Sequence, residues 1–138
     1  SWQSMNKKAI YFQRDMNVLV STLADARAAV TAAQGSDHSL LLVTEPEACA
    51  RLGPQYLFEM ACQAGFDGET VGALIDCGSD AGYAMLALRV GWKDLHLTGT
   101  PDTVERIAQM TEATGGRFHT NLPPNLEKPA GLAVDQSR

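Results

Sequence analysis

Between Gly72 and Thr100 the chain reads Gly-Ala-Leu-Ile-Asp-Cys-Gly-Ser-Asp-Ala-Gly, then an uncharged stretch over Ala81–Leu88, a glycine at 91 and a second short apolar run. An apolar run that ends in a polar, glycine-bearing turn fits a strand buried on both faces. The helix-length stretch that follows is long enough to carry the chain back to start a second strand alongside the first. That is the βαβ unit, and it commits this region to a parallel sheet.

Other segments repeat the pattern. Asn17–Leu23 is apolar and rich in β-branched residues, and Thr22 with Asp25 forms a T-x-x-D cap that opens a helix through about Gln34. A competing reading joins Phe12, Met16, Leu19, Leu23, Ala26, Val30 and Ala33 as the seam of one long helix over 12–34. Strand plus helix is preferred because it preserves the alternation seen elsewhere. Ser39–Val43 is a continuous apolar strand, and Pro46 with Glu47 starts a helix that Gly53-Pro54 breaks and restarts as far as Gly65. Ala73–Asp76, a helix over Ala81–Val90, Asp94–Thr98, a helix from Pro101 to Gly115 and a last strand Arg117–Thr120 complete the series. The turn Leu42–Glu47 is echoed by Leu97–Asp102, two copies of one strand-to-helix solution.

The expected fold is therefore a single three-layer α/β domain over 1–138, with a mostly parallel sheet of four to five strands, in the flavodoxin-like or Rossmann-like class. Residues 1–15 form a leader, and 121–138 a proline-containing tail, both without an assigned structure. A fragment of a (β/α) barrel has the same rhythm, but so few units cannot close one.

Composition narrows the partners. The net charge of −5 leaves no basic footprint, which argues against nucleic acid and anionic membranes. The apolar runs fall well short of a membrane span, and no export leader opens the sequence. Cys49, Cys62 and Cys77 are odd in number and lack C-x-x-C spacing, so reduced thiols in the cytoplasm are expected and no metal site or cofactor is assigned.

Parallel strands deliver their carboxyl ends to one rim. There the sequence gathers Ser21, Thr22, Thr44, Glu45, Asp76, Gly78, Ser79, Asp80, Thr98, Gly99 and Thr100, with His119 to Asn121 beyond. Thr44, Glu45, Asp76, Gly78, Ser79, Asp80, Thr98, Gly99 and Thr100 are the candidate ligand-binding residues, through helix N-termini that favour anions. The same side chains are ordinary helix caps, so each carries a structural reading as well. Asp76, Cys77 and His119 are candidate catalytic groups, with Cys77 as nucleophile and His119 as its base. His96, between Leu95 and Leu97, reads as a packed histidine. Gly78–Gly82 matches neither G-x-G-x-x-G nor a P-loop.

Three functions follow as expectations. The first is a non-catalytic domain that self-associates or docks a partner through the uncharged helix. The second is a binder of a small anionic or phosphorylated metabolite at the rim, and the third an enzyme using Asp76, Cys77 or His119.

Overall fold

The computed structural model describes residues 14–129. Its elements are β1 (Met16–Val20), α1 (Leu23–Gly35), β2 (Leu40–Thr44), α2 (Pro46–Leu52), α3 (Pro54–Ala64), β3 (Val71–Asp76), α4 (Ala81–Val90), β4 (Asp94–His96), α5 (Pro101–Ala113), β5 (Arg117–His119) and β6 (Leu126–Glu127). The local signals act as the residue types require. Thr22 Oγ1 accepts from the backbone N–H of Asp25 at 3.0 Å and caps α1. Pro46, Pro54 and Pro101 each sit in the first turn of a helix, where a missing N–H costs nothing. Residues 16–20 are strand, so the long-helix alternative does not form there; Phe12 and the leader up to residue 13 lie outside the described residues.

The domain is α/β with three layers and a wholly parallel sheet. The sheet has six strands, in the order β5-β4-β3-β2-β1-β6, where the sequence predicts four to five. The extra strand is β6, supplied by the tail and paired with β1 at Asn17↔Leu126 and Val18↔Glu127. Two residues carry too little pattern to be read as a strand.

From β1 to β5 the order advances one position at a time without reversing. Each right-handed crossover then sets its helix on the same side of the sheet. Packing agrees: Val18, Leu40, Leu42, Ala73, Ile75 and Leu95 share one core with Ala29, Leu57, Ala84 and Ile107 from four helices. Trp92 anchors this side, fully buried, with its indole N–H donating to the Pro54 carbonyl at 2.9 Å and its ring edge-on to Phe58 at 5.5 Å. Side chains alternate along a strand, so Leu41, Val43 and Leu74 point the other way. They form a separate cluster with Leu19, Leu122 and Leu126. The third layer is thus the segment 120–127, which leaves the β5 edge and reaches β6 at the opposite edge.

One glycine is fixed by space. A Cβ on Gly116 would lie 2.5 Å from the Lys93 carbonyl oxygen, so the backbone can enter β5 beside β4 only without a side chain there.

Candidate functional site

The strand-end rim forms as a geometric unit. The Cys77 N–H donates to the His96 carbonyl at 2.9 Å, and the Thr98 N–H and hydroxyl both donate to the Gly78 carbonyl, at 2.8 and 3.1 Å. Thr44 joins them, its hydroxyl oxygen accepting from the Asp76 N–H at 3.2 Å. Residues 76–78 and 98 therefore lie side by side, with Pro46 close against Gly78.

Three of the rim side chains each place an oxygen on the backbone of their own turn or helix. Asp76 Oδ1 accepts from the Gly78 N–H at 2.9 Å. Asp80 Oδ1 accepts from the Tyr83 N–H at 3.1 Å and caps α4. Thr100 Oγ1 accepts from the Thr103 N–H at 3.4 Å and caps α5. Glu45 stands at the N-cap of α2 without a side-chain bond to the helix. Thr98, Gly99 and Thr100 are exposed, as are Ser79 and Asp80. Asp76, Asp80 and Thr100 thus build turns and helix starts. Because the strand order does not reverse between β1 and β5, residues 76–80 and 98–100 do not flank a switch point, the usual ligand position in open α/β sheets; among the described strands the order reverses only at β1, between β2 and β6.

The structure does not bring Cys77 and His119 together. Cys77 belongs to the helix-side core, where its thiol interacts with that of Cys49. That interaction, burial, and the negative charges of Asp76 and Asp80 push its pKa up, away from a reactive thiolate. His119 lies on the other face. Its position in β5 pairs with His96 of β4, which pairs with Asp76 of β3.

Among the described residues the helices pack into the helix-side core and none onto this face, and this helix-free face holds a cluster whose Asp94 and Arg117 were not singled out from the sequence. Arg117 donates to Asp94 through Nε at 2.9 Å and through a terminal nitrogen at 2.8 Å. His119 Nε2 lies 2.9 Å from Asp94 Oδ1 and, facing a carboxylate, donates to it. Asp94 is 6% exposed. Burial works to raise its pKa, but the hydrogen bonds from His119 and Arg117 and their charge outweigh it and hold the carboxyl below the usual range. His96 Nδ1 sits 2.7 Å from the His119 carbonyl oxygen, an acceptor only, so the proton resides on Nδ1. The signal for this cluster was present in the alternation Asp94-Leu-His96-Leu and Arg117-Phe-His119. A strand that alternates ionisable with apolar residues has one face without a helix on it.

Beside the cluster lies a pocket of about 680 Å³, within the usual range for small-molecule sites. Leu41 forms its floor, His119 one wall, and Asn121 to Asn125 the cover. Arg14, Asp15 and Asn17 line the far side. Arg14 donates to the Glu69 carbonyl and lies over Gly72, where a Cβ would stand 3.0 Å from its guanidinium. Asp15 accepts from the Ser39 N–H at 3.0 Å, which lowers its pKa.

Among the described residues no group of three His, Cys, Asp or Glu side chains is placed to hold a metal ion, and no helix is long and apolar enough to cross a membrane. No protein-family model and no curated protein matches this chain.

Proposed function

We propose that this domain binds a small polar metabolite on the helix-free face of its sheet, in the pocket between Leu41, His119 and residues 121–125. One observation carries the reading. Parallel sheets are normally covered on both faces, yet here every helix that contributes to the main core packs on one side. The opposite face, among the described residues, is covered by a single segment that leaves a pocket beneath it. An apolar floor with a few polar groups at the wall is the usual character of a ligand site. Three carboxamides (Asn17, Asn121 and Asn125) line the space together with Arg14, Asp15 and His119, which the chain holds in place through Glu69, Ser39 and Asp94, so residues of both charge signs border it. That mixture suits a ligand carrying an anionic group and hydrogen-bonding groups together, such as an amino acid or an acidic sugar, better than a bare phosphate.

The test is thermal unfolding with a panel of amino acids, monosaccharides, sugar acids and sugar phosphates. A ligand should raise the Tm of the wild-type chain and fail to do so with Asn125→Trp, where an exposed lining residue fills the pocket. A panel without any stabilising compound, or a shift unaffected by Asn125→Trp, contradicts the reading.

A second reading, self-association, has its own observation. Met85 and Leu86 are 44% and 37% exposed on α4, within the uncharged stretch Ala81–Leu88. Light scattering should then give a dimer that Met85→Glu converts to monomer; a monomeric wild-type chain overturns it.

A further inference from the structure

We propose that residues 120–127 are a releasable clasp that gates the pocket on the helix-free face; the inference rests on the ligand-binding reading above and adds its regulation. Among the described residues the clasp has two attachments besides its chain connection to β5. One is the two-residue strand β6, which pairs with β1 at only two positions on the outer edge of the sheet. The other is a pair of half-buried side chains, Leu122 and Leu126, resting on Leu41, Val43 and Leu74. By contrast β2 pairs with β1 at five positions and with β3 at four, buried along its whole length.

Between the attachments the chain makes no ladder with the described strands of the sheet it crosses. Pro123 and Pro124 have no N–H to donate, and their fixed φ angles make the crossing stiff. Asn121, Pro124 and Asn125 are exposed to solvent on one side while lining the pocket on the other. A stiff span held at one end by a strand and at the other by a two-residue bridge can swing without disturbing the core. Loss of the bridge and of two leucine contacts uncovers the pocket; the helix-side core is untouched. Elements that admit ligands are drawn from such low-stability parts of a fold.

Amide hydrogen exchange on the full chain, without ligand, tests the clasp. Amides of Leu126 and Glu127 should exchange at least about 100-fold faster than those of Leu41–Val43 and Leu74, with little dependence on low urea, as expected for local opening. Leu122→Ala should speed exchange of the clasp roughly tenfold and leave β3 unchanged. The inference is overturned if the clasp and β2 exchange together with the same urea dependence. The wild-type comparison decides this alone if Leu122→Ala does not fold. A locked clasp with a ligand found by thermal shift defeats the clasp only; an opening clasp with no ligand in the panel defeats the binding reading only.

Discussion

The two faces of the sheet are built by different rules. On the helix side, strand residues such as Leu40, Leu42 and Ile75 meet alanines of α1, α3 and α4, and Trp92 seals the layer. The opposite face carries Asp94, ion-paired to Arg117 and hydrogen-bonded to His119, beside a small leucine cluster and a pocket. Apolar burial holds the first face, and its energy scales with area removed from water. Exact pairing holds the second, because a buried carboxylate is tolerable only when its partners are in place. On the proposed reading, stability belongs to one face of the sheet and recognition to the other.

Substitutions on each side can break that separation. The largest effect belongs to the helix side: Trp92→Ala should cost about 3–5 kcal/mol in urea unfolding, through the cavity and the lost bond to Pro54. Asp94→Asn should cost less, about 2–3 kcal/mol at neutral pH, since Arg117 is partly solvated and the amide still accepts one bond.

The pH dependence of that second variant follows from the lowered carboxyl of Asp94. Its stabilisation is fully present above the unfolded carboxylate pKa of about 3.9 and is lost as pH falls through the lower folded value. The gap between wild type and Asp94→Asn should thus close on acidification below about pH 4, as read from urea melts. A gap that widens in acid would mean Asp94 is held protonated.

Leu122→Ala should cost about 1 kcal/mol, because this clasp side chain is only half buried against the sheet. Thr100→Ala removes the cap of α5 and should cost about 0.5–1 kcal/mol, without altering binding if Thr100 is a cap and not a ligand contact. Equal losses for Trp92→Ala and Leu122→Ala would erase the distinction between the faces.

Much of this architecture could be read in the sequence. Every helix start marked by Thr22, Pro46, Pro54 or Pro101 is where residue chemistry demands, because caps and prolines act within one turn. Strand direction followed from the helix-length links between strands. The strand order did not, since pairing is decided by packing between distant segments. The rim residues Thr44, Asp76, Asp80 and Thr100 were legible as polar groups at strand ends, but their commitment to backbone N–H groups needed coordinates. Asp94 and Arg117 stand 23 residues apart in sequence and meet only because β4 and β5 are neighbours. The clasp was hidden for a similar reason: Leu126 and Glu127 become a strand through β1, not through their own propensity.

The most direct measurement is a ¹H–¹⁵N chemical-shift titration of the intact domain with the compound that most raises its Tm. Shifts confined to Asn17, Leu41, His119 and residues 121–125 are expected. Shifts centred on Gly78, Ser79, Asp80 and Thr98–Thr100, with the helix-free face silent, would place recognition at the strand-end rim and contradict the division of labour between the two faces.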